Sequence, residues 1–253
     1  MIALAEPLAG RGDGSGAMFD RIAARYDLLN RLNSLGLDRA WRRVTAEALA
    51  PAATADRPLR VLDVASGTGD LAIAIARRFP SAVVRGVDTS TAMTVVGREK
   101  VKRAGFSDRI TLGSGDAQEL GFADRSFDAA AIAFGIRNVP DRVRALCEMA
   151  RVTRPGGRVA VLELSEPVSG PLAVLARFHI RVLVPMIGTL LAGGAEYRYL
   201  RRSIRAFPPP DEFTRTMTAA GLEPVETRPL TFGVCNLFLA SPAVERATGG
   251  SGP

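Results

Sequence analysis

The chain between residues 59 and 164 alternates short runs of branched apolar residues with longer segments whose apolar residues recur at helical spacing. The apolar runs predict five strands, at 59–64, 83–87, 110–112, 126–134 and 159–164. The segments between them predict helices at 70–79, 89–104 and 141–152. Strands that alternate with helices form parallel βαβ units, so the pattern predicts an α/β fold with a doubly wound sheet.

The segments on either side of this alternation extend the predicted fold. Before it, apolar spacing predicts helices over 19–33 and from Asp38, a residue type typical of an N-cap, to about Leu49. After it, a helix over 211–220 precedes strands at 223–228 and 231–239, which are expected to pair as a hairpin at the sheet edge. The sheet is therefore expected to be seven-stranded and mostly parallel.

We expect a single domain over residues 17–242. Its first part, 17–50, would form a helical cap, and the segments 1–16 and 243–253 would form flexible tails because they are small, polar and rich in glycine. The segment 1–16 also lacks the apolar stretch of a signal peptide.

An insertion at 168–205 interrupts the alternation. Residues 171–194 are strongly apolar, but Arg177, His179, Arg181 and Pro185 break the run too often for a transmembrane helix. Basic residues follow it: Arg198, Arg201, Arg202 and Arg205. An apolar element beside arginines is typical of a membrane-surface segment or of a lid over an apolar substrate, and a helix packed under the sheet edge is the alternative.

The net charge and the cysteine content limit the classes of function that the chain could have. The net charge is +7, with much of the excess in residues 171–205, and a basic surface favours nucleic acid or anionic lipid. No aromatic–basic stacking patch accompanies the charge, so we expect no nucleic-acid partner. Cys147 and Cys235 are far apart and unpatterned, which predicts neither a disulfide nor a metal site and indicates a reducing cytosol.

A glycine-rich turn carries the strongest chemical signal. The first predicted strand ends in Ala65-Ser66-Gly67-Thr68-Gly69, and a helix follows, which is the opening of a nucleotide-type α/β site. Asp88 ends the second strand, where a carboxylate can accept hydrogen bonds from both hydroxyls of a ribose. Gly115-Asp116-Ala117 follows the third strand and could frame an adenine.

This order of motifs, with Phe127-Asp128 and Arg154-Pro155-Gly156-Gly157 further on, resembles the class I methyltransferases that use S-adenosylmethionine. The resemblance covers roughly residues 57–165. It implies that the cofactor is S-adenosylmethionine, with no metal. It also implies cofactor-binding roles for Asp63, Gly67, Thr68, Gly69, Asp88, Asp116, Ala117 and Ala133.

Further segments resemble one branch of that class, the quinone-ring C-methyltransferases of menaquinone and ubiquinone biosynthesis (the UbiE/COQ5 family). They are 19–30, 34–36 with 41–42, 134–139, 151–158 with 163–165, and 197–200 with 203–204. The sequence departs from the family pattern at Asp38, where histidine is usual, at Ala133, where serine is frequent, and in its last strand at 233–238. These departures bear on the substrate rather than on the cofactor.

The resemblance implies C-methylation of a polyprenylated quinol, a naphthoquinol or a benzoquinol. Arg137 and Asn138 follow the fourth strand, at the edge where open α/β sheets bind ligands. We assign Arg137 to stabilising a phenolate or orienting a water, and Asn138 to a polar contact. Arginine is a poor base, so Tyr26 and Asp116 are alternatives for proton removal. A structural ion pair is the competing interpretation of Arg137.

The expected partners follow from that substrate. A polyprenylated quinol resides in the bilayer, so we expect a cytoplasmic protein that binds peripherally to the inner face of the plasma membrane, and a homodimer is possible. Trp41 and the N-terminal helices would cover the cofactor or simply pack as core. A methyltransferase acting on a soluble aromatic compound, and a scaffold that has lost activity, are the competing functions.

Overall fold

Strands and helices alternate through most of the chain in the computed structural model, which describes residues 19–21, 23–165 and 194–243. The tail 1–16, most of the apolar run 171–194 with His179, and residues 244–253 lie outside the described residues. The strands are β1 (Arg60–Val64), β2 (Val83–Asp88), β3 (Ile110–Ser114), β4 (Phe127–Ala133), β5 (Thr153–Leu164), β6 (Leu222–Leu230) and β7 (Cys235–Pro242). The α-helices are α1 (Tyr26–Asn33), α2 (Leu37–Glu47), α3 (Asp70–Arg78), α4 (Thr91–Arg103), α5 (Arg142–Val152), α6 (Gly194–Arg205) and α7 (Pro210–Ala219).

The seven strands form one sheet in the order β3-β2-β1-β4-β5-β7-β6. Strands β1 to β5 pair in parallel, and β7 runs antiparallel to both β5 and β6. The α/β fold class and the β6–β7 hairpin at the sheet edge are therefore confirmed. The order reverses between β1 and β4, which places a ligand-binding crevice at the carboxyl ends of these strands.

Each face of the sheet carries its own core because side chains alternate along every strand. Val61 of β1 packs with α2 and α3 through Trp41 and Ile75, whereas Leu62 faces α5 and α7 through Met149 and Phe213. The two layers hold the strand ends, and hence the crevice, in fixed positions.

The N-terminal region differs from its prediction. Instead of one helix over 19–33, a helical turn at 19–21 is followed by a 3₁₀ helix at Ala23–Arg25 and then by α1. A 3₁₀ helix winds 120° per residue rather than 100°, so the three residues rotate α1 by roughly 60° relative to a straight helix. Tyr26 then lies over the glycine loop, 3.9 Å from the position a Cβ of Gly67 would take.

The predicted N-cap role of Asp38 is wrong. Helix α2 follows Gly36, whose φ of +78° suits glycine, and Asp38 lies inside the first turn. Asp38 is 3 % exposed because its carboxylate turns inward to Arg42 instead of capping the helix.

Two strand boundaries also differ. Strand β5 begins at Thr153 rather than at 159, because Thr153 pairs with Phe127 while the intervening glycines loop out before Arg158 pairs with Ala129. Strand β7 begins at Cys235, because a 3₁₀ turn at Thr231–Gly233 takes up the start of the predicted strand.

Candidate active site

The glycine loop joins β1 to α3 at the crevice. Its backbone takes positive φ at Ala65 (51°), Gly67 (54°) and Gly69 (78°), so it turns tightly over three alternate residues. The Ser66 N–H donates to the Val87 carbonyl oxygen (3.0 Å), which joins the loop to the end of β2. The hydroxyl of Ser66 is buried and has no hydrogen-bond partner among the described residues, so it is available to a ligand.

Asp88 lies directly beside this loop. One carboxylate oxygen accepts the Gly67 N–H (2.8 Å) and the other accepts the Ser90 N–H (2.8 Å). Burial raises the pKa of Asp88, and these two N–H donors partly oppose the shift. A carboxylate offers about four lone-pair positions, so each oxygen retains one for a ribose hydroxyl.

Asp116 and Ala117 lie one strand further along the same edge. The Gly115 N–H donates to the Asp88 carbonyl oxygen (3.1 Å), which connects this turn to the end of β2. Asp116 is exposed and accepts the Gln118 N–H (2.8 Å), whereas Ala117 is buried. The predicted adenine-framing pair is thus next to the predicted ribose acid.

A cavity of about 20 Å³ lies beneath Tyr26, room for about one water molecule. Five of the predicted site residues line this cavity: Tyr26, Asp63, Gly67, Thr68 and Ala133. It is not lined by Gly69, Asp88, Asp116, Ala117, Arg137 or Asn138. Asp63 is 1 % exposed and accepts the Ala72 N–H (3.0 Å), and burial raises its pKa to about 8.

A polar cluster that the sequence analysis missed holds the N-terminal helices against this edge. The Thr68 hydroxyl donates to Asp27 (2.6 Å), and Lys100 of α4 pairs with both Asp27 and Asp70, the latter at 2.7 Å. Burial alone would raise the pKa of Asp27, but the hydrogen bonds from Lys100 and Thr68 outweigh it and hold the pKa below its usual value. Asp20 similarly accepts the Ser90 hydroxyl (2.6 Å).

Arg137 lies in the 3₁₀ turn after β4 and forms a buried ion pair. Its Nη1 is 2.5 Å from Glu163 Oε1 and also donates to the Phe134 carbonyl oxygen at 2.8 Å. Glu163 is fully buried and accepts the backbone N–H of Arg137 at 3.2 Å. Burial alone would lower the pKa of Arg137, but the charge and hydrogen bond of Glu163, together with Tyr26 and Tyr199, outweigh it and the pKa is raised.

One donor of Arg137 is unused: its Nε is buried without a partner among the described residues. The structural ion pair considered from the sequence is therefore present, and a donor remains for a ligand. Asn138 accepts a hydrogen bond from the Tyr199 hydroxyl of α6 (3.2 Å). Burial raises the pKa of Tyr199, so this hydroxyl stays protonated as a donor. No role was predicted for Glu163 or Tyr199 from the sequence, although both lie in segments that carried the family resemblance.

Two general features of the described part of the chain bear on the site. No helix there is long and apolar enough to cross a bilayer. The same residues contain no group of three or more His, Cys, Asp or Glu side chains placed to hold a metal ion.

The sheet order, the glycine loop after β1 and the acid at the end of β2 define a class I S-adenosylmethionine-dependent methyltransferase. The fold is shared with the crystal structure of the [4+2]-cyclase SpnF, at a TM-score of 0.66 and 18 % identity over 90 % of this chain and 96 % of that one.

The chain belongs to the ubiE/COQ5 methyltransferase family, whose sequence model matches residues 12–241. It is 46 % identical to a ubiquinone/menaquinone biosynthesis C-methyltransferase UbiE of Syntrophotalea carbinolica, over 90 % of this chain and 93 % of that protein. It is 43 % identical to a demethylmenaquinone methyltransferase of Deinococcus radiodurans, over 90 % and 92 % of the two chains. The predicted family and enzyme class are confirmed.

Proposed function

We propose that this enzyme transfers a methyl group from S-adenosylmethionine to a ring carbon of a polyprenylated quinol in menaquinone or ubiquinone biosynthesis. The observation that carries the proposal is the match over nine-tenths of the chain to relatives named for that reaction. The buried guanidinium of Arg137 at the ligand-binding edge supports it, because ring methylation needs a group that stabilises phenolate charge.

The residues at the crevice fit the cofactor. Asp88 keeps lone pairs for the ribose, and the Ser66 hydroxyl is an unused polar group at the glycine loop. The cavity holds only about one water, so we propose that Tyr26 and α1 move outward when the methionine moiety enters. The contacts of Asp27 with Thr68 and Lys100 are the ones that this opening breaks.

Bound S-adenosylmethionine supplies an activated methyl group on its sulfonium. The protein's task is to hold the quinol ring carbon in line with that group and to stabilise the charge of the ring oxygen. We assign the second task to Arg137, because Glu163 fixes its guanidinium while Nε remains available. Asn138, positioned by Tyr199, supplies a polar contact to the same ring.

Proton removal from the quinol hydroxyl requires a base. The raised pKa of Arg137 excludes its guanidinium from this task. Tyr26 lines the cavity and lies close enough to Arg137 to contribute to its pKa, whereas Asp116 does not line the cavity. We therefore propose that a water oriented by Arg137 accepts the proton, or that Tyr26 accepts it when its side chain is ionised.

The function is tested with demethylmenaquinol, demethylated ubiquinol and a soluble naphthol as substrates, and the methylated product is measured by mass spectrometry. Arg137→Met should lower turnover about 100-fold or more, the range for losing a group that stabilises transition-state charge, and leave cofactor affinity nearly unchanged. The exposed Arg144 of α5 provides the control variant Arg144→Met, which should behave as wild type. Turnover of only the soluble naphthol would contradict the quinol proposal.

We further propose that the enzyme works at the cytoplasmic face of the plasma membrane and that α6 contacts anionic lipid there. Four arginines of α6 surround a surface concavity of about 460 Å³: Arg198, Arg201, Arg202 and Arg205. Each arginine near an anionic surface contributes on the order of 1 kcal/mol to binding, and salt weakens this attraction.

Vesicle co-sedimentation tests this surface. Arg201, Arg202 and Arg205 changed together to Glu should abolish binding to phosphatidylglycerol vesicles at low salt while leaving cofactor affinity intact. The exposed arginines of α2 and α3 provide a control with the same charge change: Arg39, Arg43 and Arg77 changed to Glu. Equal losses in both variants would indicate net charge rather than α6, and unchanged binding of the first variant would remove α6 from the interface.

A further inference from the structure

Arg42 of α2 is buried in the wall of the cavity under Tyr26. Its side chain is 7 % exposed, and it shares the cavity with Asp63, Gly67 and Thr68. None of the motifs that predict the cofactor site includes it, and the ion pair and charge stabilisation assigned to Arg137 make no use of it.

The guanidinium of Arg42 is fixed from two sides. Nη1 lies 2.5 Å from Asp38 Oδ2, and the Ser34 hydroxyl donates to the other oxygen of Asp38 at 3.0 Å. The guanidinium carbon lies 4.9 Å from the centre of the Phe134 ring, so one face of the planar group is covered. A guanidinium has five N–H donors, and Asp38 engages one of its nitrogens, which leaves donors for a ligand.

The cavity wall presents both signs of charge at short range. Arg42 supplies the positive group, Asp70 supplies the negative one, and Asp63 adds a buried carboxyl group. Lys100 already pairs with Asp70, whereas Asp63 accepts one backbone N–H. A wall with a fixed guanidinium and an underused carboxyl matches an α-amino acid group, which carries a carboxylate and an ammonium on neighbouring atoms.

We propose that Arg42 is a further cofactor-binding residue, which receives the α-carboxylate of the methionine moiety of S-adenosylmethionine, and that Asp38 is the residue that positions it. The inference rests on the cofactor site proposed above, because the glycine loop must hold the methionine moiety for Arg42 to reach it. Arginine suits this role because its planar fork matches a carboxylate in two-point geometry.

The test compares two ligands that differ in the amino acid group. S-adenosylhomocysteine carries the α-carboxylate, whereas 5′-deoxy-5′-methylthioadenosine lacks the whole amino acid end. Arg42→Met should weaken calorimetric binding of the first at least about 10-fold, as expected for loss of a charged hydrogen-bond partner, and leave the second within twofold. The adjacent Arg43 is exposed, and Arg43→Met should change neither affinity.

Arg42→Lys is the control for misfolding of Arg42→Met, because lysine keeps the positive charge and the aliphatic part of the side chain. It should lose less affinity for S-adenosylhomocysteine than Arg42→Met and none for methylthioadenosine. Equal weakening of both ligands by either variant would mean that Arg42 only supports the fold, and unchanged affinity would overturn the inference. If Asp88→Ala leaves both ligands unaffected, the cofactor site itself is misplaced, which is a different failure.

Discussion

Replacing Glu163 by glutamine removes the charge that neutralises Arg137 and changes little else. Glu163 is fully buried on β5, and its carboxylate accepts hydrogen bonds from the Arg137 side chain, from the Arg137 backbone N–H and from the Leu164 N–H at 2.8 Å. Glutamine has nearly the same shape and retains one acceptor oxygen. The guanidinium, 7 % exposed, would be left buried without a counter-charge.

Removing one partner of a buried ion pair costs about 3–5 kcal/mol, and the retained acceptor places Glu163→Gln at the lower end, about 3 kcal/mol. The variant should still fold, because the free energy of unfolding of a domain is about 5–15 kcal/mol. At about 2–4 °C per kcal/mol for a chain of this size, Tm should fall by about 6–12 °C. The double variant Glu163→Gln/Arg137→Met removes both charges and should be more stable than Glu163→Gln alone.

Urea unfolding at pH 7 measures these differences. The only tryptophan of the sequence, Trp41, is 4 % exposed and provides the fluorescence signal. A loss below about 1 kcal/mol in Glu163→Gln, or purely additive losses in the double variant, would refute the argument that this pair is desolvated and coupled.

Two further predictions concern other acidic residues of the site. Asp88→Ala should weaken S-adenosylmethionine binding by about 2–3 kcal/mol in calorimetry, because a charged acceptor for the ribose is lost, and unchanged affinity would remove Asp88 from the site. Burial raises the folded-state pKa of Asp63 to about 8, above its unfolded value, so the folded protein binds more protons. The wild type should therefore lose stability in urea as pH rises from 5 to 8, whereas Asp63→Asn should show a much flatter profile over that window; parallel profiles would contradict the shift.

The sequence predicted the sheet well because each central strand is a short apolar run bounded by turn residues. Helices α4 and α5 begin one residue after Ser90 and Asp141, whose side chains accept N–H groups of the first turn as N-caps do. The start of α2 was mispredicted for a physical reason. Asp38 has the residue type of a cap, but its ion pair with Arg42 turns it into the interior, and residue type alone does not reveal the partner.

The candidate site likewise contains residues that local patterns predicted and contacts that they did not. The motif residues that follow β1, β2 and β3 lie along one edge because parallel strands share their carboxyl ends, so strand prediction alone brought them together. The contacts of the N-terminal helices could not be predicted from the sequence. Asp27 and Thr68 are 41 positions apart in the chain, and Asp20 and Ser90 are 70 apart. No local pattern encodes such pairs. The roles assigned to Tyr26, Arg137 and Asn138, and to the predicted cofactor-binding residues, stay predictions until substrate and cofactor binding are measured.

The closed position of Tyr26 over a cavity of about 20 Å³ has a kinetic consequence. If the product S-adenosylhomocysteine occupies this space, which holds about one water, each catalytic cycle includes one outward movement of α1 and one return. The rate of that movement is an upper limit on turnover, however fast the methyl group moves. Salt links from Lys100 to Asp27 and Asp70 restrain the movement, and their strength falls with ionic strength. Moderate salt would thus accelerate an enzyme limited by product release, although the same salt would weaken the proposed binding of α6 to anionic lipid.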